Sequence, residues 1–220
     1  MTGDSGTREL ADGRPGHRLV RREDVAFTDL YPGSGSGFEC CRLVDGSTGS
    51  THMALTLCLL TDGTLGTHVH SYEESFYVLE GRPVLYLDEN GVELKPGACG
   101  VVPVGVPHAW RGDGRALWVE MVAPRPRPDG GDTFFLGPAP EAGAVALDVR
   151  DPRNRNLFLL TEGEMDIDRL KRGAAVGAPT VSASMATAAL AYSGITVKML
   201  VDQRLDAQLH TMFMASPKSG

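Results

Sequence analysis

The sequence has few cysteines, and none of them has the spacing of a redox or metal-binding pair. Cys40 and Cys41 are adjacent, Cys58 and Cys99 stand alone, and no Cys-x-x-Cys occurs. Adjacent residues on a strand point to opposite faces, so Cys40 and Cys41 do not share one face. The pattern therefore predicts four reduced thiols in a cytoplasmic protein rather than a disulfide framework.

The sequence also lacks a basic excess and a long apolar run. Lys and Arg total 21 against 28 Asp and Glu, a net charge of −7, and no basic stretch offers a docking site for nucleic acid or anionic membrane. No apolar run is long enough to cross a bilayer. Residues 1–16 lack the apolar core of a secretory signal. We expect neither nucleic acid nor membrane as a partner, and a chain of 220 residues long enough for one large or two small domains.

Short strands separated by turn residues characterise residues 21–124. Such strands at regular spacing predict a sandwich or barrel. Met53–Leu60 is nearly all apolar, which predicts a strand covered on both faces. The candidate strands are Phe38–Val44, Met53–Leu60, Phe76–Leu79, Val84–Asp88, Gly100–Val102 and Ala116–Val122. The candidate turns lie at Tyr31-Pro-Gly, Asp62-Gly, Glu89-Asn-Gly, Pro96-Gly and Asp113-Gly.

The rest of the chain has a less regular pattern. We expect residues 1–20 to be disordered and residues 125–190 to form a linker with a short helix. That helix would span Thr161–Arg172, since Thr161 and Glu164 form a capping box. Residues 191–220 contain two more candidate strands, Ile195–Val201 and Leu205–Met214. They either complete the first barrel or begin a second one.

Four side chains have the spacing of metal ligands. His68 and His70 are two residues apart, so on a strand both imidazoles point to one face, and Glu74 has the same parity. A second hairpin rich in Gly and Pro leads to His108. Three imidazoles and one carboxylate suit a divalent transition metal and leave coordination positions open for water, substrate or dioxygen.

These residues resemble the two motifs of the cupin superfamily, the RmlC-like jelly rolls: G-x5-HxH-x3,4-E-x6-G and G-x5-PxG-x2-H-x3-N. There are two departures from the pattern. Gly63 lies one residue closer to His68 than in the family, and Gly112 replaces the final Asn. The matching residues are His68, His70, Glu74, Gly81, Gly97, Pro103, Gly105 and His108.

The resemblance implies an all-β double-stranded β-helix, the cupin jelly-roll barrel, over residues 21–124, with a mixed C-terminal extension. It also implies a divalent metal ion held by His68, His70, Glu74 and His108. Mn or Fe is expected first, with Ni or Zn as alternatives. Small cupins usually associate through sheet edges, so a homodimer is expected.

Two functions follow from the resemblance. The first is a metal-dependent enzyme that acts on a small polar substrate, either dioxygenase-like or ureide aminohydrolase-like, with its catalytic residues undetermined. The alternative is a non-catalytic ligand-binding or structural cupin that is half of a bicupin. It rests on Ile195–Met214, which is similar to the entry strands of the second cupin in bicupins of the ureidoglycine aminohydrolase kind.

Several other polar and aromatic residues admit a structural interpretation beside a functional one. By family spacing Glu74, not Glu73, is the ligand, and Glu73 would point outward into solvent. Core packing is favoured over substrate contact for the aromatic residues, and a solvated loop position is favoured over carboxylate binding for the arginines. A structural role is favoured for His210. The aromatic residues and arginines concerned are Tyr72, Phe76, Tyr86, Trp110, Arg111 and Arg115.

Overall fold

The computed structural model describes residues 7–9, 15–127, 131–141, 143–161, 187–190 and 195–217. Within these ranges the regular structure is β-strand, apart from short 3-10 helices at Arg22–Asp24, Gly46–Thr48, Pro152–Asn154 and Gln203–Leu205. The predicted all-β fold is confirmed. The helix predicted over Thr161–Arg172 lies outside the described residues beyond Thr161 itself. None of the helices described is long and apolar enough to cross a membrane.

The strands, in chain order, are β1 (Thr7–Glu9), β2 (Pro15–Arg18), β3 (Gly35–Val44), β4 (Ala54–His70), β5 (Glu73–Glu80), β6 (Val84–Leu87), β7 (Asn90–Glu93), β8 (Ala98–Val102), β9 (His108–Ala123), β10 (Thr133–Gly137), β11 (Ala144–Ala146), β12 (Leu157–Leu159), β13 (Thr187–Leu190), β14 (Ile195–Val201) and β15 (Met212–Pro217).

Ten of these strands form one sheet that curls into a jelly-roll half-barrel. Its order is β11-β7-β6-β9-β5-β8-β12, and β4 joins it by pairing with β9, β3 and β10. The two longest strands, β4 and β9, run antiparallel along most of their length. Because β9 also pairs with β5 and β6, it connects the parts of the sheet that surround the interior.

The predicted turns at Asp62-Gly and Asp113-Gly are wrong, because both strands continue through them as bulges. The register of β4 against β9 shifts between Thr61 and Gly63, which lies opposite Gly112. Asp62 adopts a φ of 45°, which Asp tolerates better than most residues. Its Oδ1 accepts a hydrogen bond of 2.7 Å from the Gly114 N–H on the other strand. Bulges bend a strand, so these positions help to curl the sheet.

The interior of the half-barrel is filled by alternate side chains. In β4, Ala54 to Leu60 are buried at every second position, whereas Leu55, Leu57 and Leu59 on the outer face are half-buried. The prediction that Met53–Leu60 is covered on both faces is therefore wrong for the described residues. In β8, by contrast, all five residues are buried.

β8 is covered on both faces because the C-terminal strands pack against its outside. β13, β14 and β15 form a separate three-stranded sheet. Leu200 and Leu205 pack there against Cys99 and Val101, on the face of β8 that points away from the barrel interior. In the described residues these strands thus do not extend the first sheet. A second cupin unit in residues 191–220 remains a prediction.

Four of the described strands lie in the segment 125–190, for which we expected a linker with a short helix, and three of them join the curled sheet. β10 pairs with β4, β11 with β7 and β12 with β8, so these three strands belong to the curled sheet. These strands are only three to five residues long, and Gly and Pro surround them, so their composition resembles that of a linker. The N-terminal segment, where we expected disorder, contains the short antiparallel pair of β1 and β2.

Candidate metal centre

The structure brings the four predicted side chains together inside the half-barrel. His68 and His70 lie at the end of β4, Glu74 is the second residue of β5, and His108 is the first residue of β9. His68 and His108 are register partners across the sheet. Between 0% and 4% of each residue is exposed, so all four are buried.

Each of the three imidazoles is oriented by a hydrogen bond between its Nδ1 and a backbone carbonyl two residues away. Nδ1 of His68 lies 2.8 Å from the carbonyl of Gly66, and Nδ1 of His70 lies 2.7 Å from that of Tyr72. Nδ1 of His108 lies 3.0 Å from the carbonyl of Val106. A carbonyl can only accept, so each Nδ1 carries the proton and each Nε2 presents a lone pair. One potential ligand atom from each histidine lies within 4.8 Å of the other two.

The Glu74 carboxylate lies beside these nitrogens. Its Oε2 is 3.2 Å from Nε2 of His70 and 3.6 Å from Nε2 of His108. Burial opposes ionisation of Glu74, but the neighbouring imidazoles of His108 and His70 outweigh it and hold its pKa well below the usual range. Burial and the neighbouring His108 lower the pKa of His68 to about 3. Near neutral pH the centre thus contains an ionised carboxylate and a neutral His68.

Such a group of acceptors fits a cation. Glu74 Oε1 and His108 Nε2 are buried without a hydrogen-bond partner among the described residues. Buried polar atoms are normally paired, and an unpaired carboxylate oxygen beside imidazole lone pairs is costly. A divalent cation would satisfy these atoms at once, and imidazole and carboxylate are suitable donors for Mn, Fe, Ni or Zn. The three-histidine cluster is therefore a candidate divalent metal site.

The centre opens onto a cavity of about 230 Å³. His68 and Glu74 line it together with Tyr72 and Trp110, two of the aromatic residues considered in the sequence. Phe76 belongs to the core instead, where it packs edge-on against Trp110.

Two arginines that the sequence did not single out line the exposed end of the cavity, namely Arg42 and Arg125. The Arg125 guanidinium occupies the space beside Gly46, where any side chain would collide with it. Arg111 and Arg115, the arginines considered in the sequence, lie elsewhere. Arg111 donates to the Glu141 carbonyl, and Arg115 pairs with Glu80 on the surface.

Glu120 is a further cavity residue that sequence reasoning missed. Burial and the nearby Glu74 charge raise its pKa well above the usual range. The Cys58 Sγ lies 3.4 Å from its Oε2. Alternation along the strand could have indicated this position, because residues 118, 120 and 122 lie on one face of β9. Trp118 and Val122 on that face are buried.

Glu73 differs from the prediction that it is solvated. It points away from the metal centre, as expected, but only 1% of it is exposed. Its carboxylate accepts hydrogen bonds from the backbone N–H groups of Gln208 and Leu209 at 2.7 and 3.1 Å. His210 Nδ1 lies 3.1 Å from Glu73 Oε1, an ion-pair distance without hydrogen-bond alignment, and its Nε2 lies 2.5 Å from Ser75 Oγ.

The side chains of this cluster contact one another in the order carboxylate, imidazole and hydroxyl, as in a hydrolase triad; they are Glu73, His210 and Ser75. Ser75 is fully buried, however, so no substrate reaches its hydroxyl. The cluster instead attaches the C-terminal segment to the outside of β5. The structural role predicted for His210 agrees with this arrangement.

Comparisons with known proteins find similarity over part of the chain. Residues 56–122 match the family model described as Cupin domain. No curated protein sequence matches the chain. Among solved structures, the polyketide cyclase RemF from Streptomyces resistomycificus is 28% identical, over 51% of this chain and 82% of its own, with a TM-score of 0.47.

Two further structures have lower identities. An RmlC-like cupin from Shewanella frigidimarina is 18% identical over 51% of this chain and 95% of its own, with a TM-score of 0.44. A variant of oxalate decarboxylase from B. subtilis is 18% identical over 55% of this chain and 34% of its own, with a TM-score of 0.42. The resemblance of Ile195–Met214 to a bicupin aminohydrolase remains a prediction.

The matched residues run from β4 to β9 and include all four residues of the candidate metal centre. With the curled sheet and the buried histidine cluster, this match supports a cupin domain over residues 56–122.

Proposed function

We propose that this chain is a metal-dependent enzyme that binds a divalent cation through His68, His70, Glu74 and His108. The observation that carries the proposal is the common orientation of the three imidazoles, whose Nδ1 atoms all face backbone carbonyls. A merely structural histidine cluster would not need three inward lone pairs around one carboxylate. Mn or Fe is the first expectation, and Ni and Zn suit the same donors.

The bound metal would supply Lewis acidity or oxygen activation, and the chain's own residues would bind and orient the substrate. The cavity of about 230 Å³ is smaller than a typical drug-sized pocket of roughly 300–1,000 Å³, so it suits a small substrate. Arg42 and Arg125 at its exposed end favour a substrate with a carboxylate or another anionic group, since a guanidinium binds carboxylates in bidentate geometry.

Glu120 would donate a proton or a hydrogen bond to this substrate. A carboxyl group with a raised pKa can act as a general acid, which an ordinary solvated glutamate cannot. The reaction class stays open between dioxygenation and hydrolysis of a ureide. Both would place a small oxygen-rich molecule between the metal centre and Arg125.

Metal binding is tested by elemental analysis of the purified protein. We expect close to one divalent metal ion per chain, removable by a chelator and restored by dialysis against Mn or Fe. A His68→Ala variant should contain far less metal. A folded wild-type protein with no affinity for Mn, Fe, Ni or Zn would contradict the proposal.

Catalysis is tested by O₂ uptake with small carboxylic acids and by ammonia release from ureidoglycine. Glu120→Gln should lower kcat about 100-fold or more while its metal content is unchanged, since general acids contribute about 10²–10⁴-fold. Arg125→Gln should raise KM, whereas the surface variant Arg115→Gln, a matched control, should not. A metal-loaded protein that turns over none of these substrates would favour the non-catalytic alternative.

A further inference from the structure

Two cysteines face each other across the cavity wall. Cys40 in β3 and Cys58 in β4 are direct register partners in an antiparallel pair. Both backbone hydrogen bonds of Cys40 go to Thr28 on its other side, at 2.8 and 3.0 Å. The N–H and C=O of one strand residue point to the same side, so Cys40 and Cys58 form a non-hydrogen-bonded pair.

This pair type brings the two cysteines within disulfide distance. The Cα atoms of a non-hydrogen-bonded pair lie about 4.5 Å apart, within the range of about 4.4–6.8 Å found for disulfides. Residues directly opposite in an antiparallel pair point to the same face. Both side chains are buried and both line the cavity.

The chemical environment of the two thiols differs. A hydrogen bond with Cys58, and the positive charge of Arg42, lower the pKa of Cys40 despite its burial. Burial raises the pKa of Cys58. Cys40 is therefore the better nucleophile of the two, and Cys58 is the thiol held beside it and beside Glu120.

We propose that Cys40 and Cys58 are a redox modification site that closes to a cross-strand disulfide when hydrogen peroxide enters the cavity. The Cys40 thiol gives up its proton, and the thiolate attacks one oxygen of the peroxide and breaks the O–O bond. A sulfenic acid forms, and the hydroxide released takes up that proton as water. The Cys58 thiol then attacks the Cys40 sulfur. The S–S bond forms, the S–O bond breaks, and the hydroxyl group leaves with the Cys58 proton as water. In total two thiols are oxidised and one peroxide is reduced to two waters.

The disulfide would alter the cavity beside the metal centre. Its formation consumes the Cys58 S–H, the group within hydrogen-bond distance of Glu120. It also links β3 to β4 at the wall that contains Arg42. The site is therefore placed to change how the cavity receives a substrate, and its existence does not depend on the proposed enzymatic activity.

The other cysteine of β3 provides a matched control. Cys41 is adjacent to Cys40 but points to the opposite face, away from Cys58. We would treat the full-length protein with a small molar excess of hydrogen peroxide and count free thiols before and after. Peptide mapping by tandem mass spectrometry would locate any cross-link.

The wild-type protein should fall from four free thiols to two, and dithiothreitol should restore all four. The mapped cross-link should join Cys40 to Cys58, with a mass loss of two hydrogens. Cys41→Ser should still lose two thiols, whereas Cys40→Ser should form no intramolecular disulfide. A cross-link to Cys41 or Cys99, or oxidation of Cys40 to sulfinic acid without a disulfide, would overturn the proposal. Because the wild-type map already decides the matter, the result does not depend on the folding of any variant.

Discussion

Replacement of Glu74 by Gln tests the metal centre and separates it from its neighbour Glu73. The substitution keeps the size of the side chain but removes the charge that faces Nε2 of His70 and His108. The metal-free protein should still fold, because an amide also makes hydrogen bonds. What the variant should lose is the stabilisation that a bound cation provides.

The size of that loss can be estimated. A ligand at 100 times its Kd stabilises the folded state by about 2.7 kcal/mol. For a chain of 220 residues each kcal/mol shifts Tm by about 2–4 °C, so the metal should raise Tm by about 5–11 °C. Changes around a metal site already weaken binding about 10–100-fold, so loss of a charged ligand should weaken it at least about 100-fold. At the same metal concentration the stabilisation then falls to about 0.4 kcal/mol and the shift to about 1–2 °C.

The assay is thermal unfolding of chelator-treated protein with and without Mn²⁺, Zn²⁺, Ni²⁺ or, under argon, Fe²⁺. Glu73→Gln is the matched control. This variant weakens the attachment of Gln208 and Leu209, so it should lower Tm both with and without metal. The increase in Tm that the metal causes should remain unchanged. The reasoning is refuted if Glu74→Gln keeps the full shift, or if Glu73→Gln abolishes it.

Three further predictions concern stability. The pKa of His68 is about 3 in the folded protein, against 6.5 ordinarily. Between these pH values the unfolded chain takes up a proton that the folded chain does not. The metal-free protein should therefore lose stability as the pH falls from about 6.5 towards 3. Chemical unfolding at several pH values should show that the free energy of unfolding falls less for His68→Asn than for the wild type. An equal fall with pH in the two proteins would contradict the low pKa of His68. His210→Ala removes the imidazole that packs between Glu73 and Ser75, whose pKa burial lowers, and should cost about 1–3 kcal/mol in urea unfolding, with a change below about 0.5 kcal/mol contradicting the C-terminal packing. Asp62→Ala should cost about 1 kcal/mol through the lost hydrogen bond to Gly114, whereas the same change at the exposed Asp113 should cost much less.

Much of the fold and of the candidate metal centre could be predicted from the local spacing of residues. The pairing of strand-like segments with turn residues predicted six strands of the curled sheet, and strand parity placed His68, His70 and Glu74 on one face. Short strands such as β10–β12 could not be predicted in this way. Gly and Pro surround them, so their segment resembles a linker in composition, and they are stabilised by the strands beside them.

The wrong prediction of a turn at Asp62-Gly63 shows that local sequence also fails to distinguish a turn from a bulge. The dipeptide favours a positive φ, which both a tight turn and a bulge can use. Only the presence of β9 alongside, with Gly112 opposite and Gly114 donating to Asp62, decided that the strand continues as a bulge.

The sequence by itself singled out His68, His70, Glu74 and His108, because strand parity places His68 and His70 on one face and the cupin-like motifs include Glu74 and His108. It did not determine the surroundings of the centre. The burial of Glu73 under the C-terminal segment, the raised pKa of Glu120 and the opposition of Cys40 and Cys58 depend on residues far apart in the chain. Tertiary structure decided these features, because burial and strand register arise only when distant segments pack together.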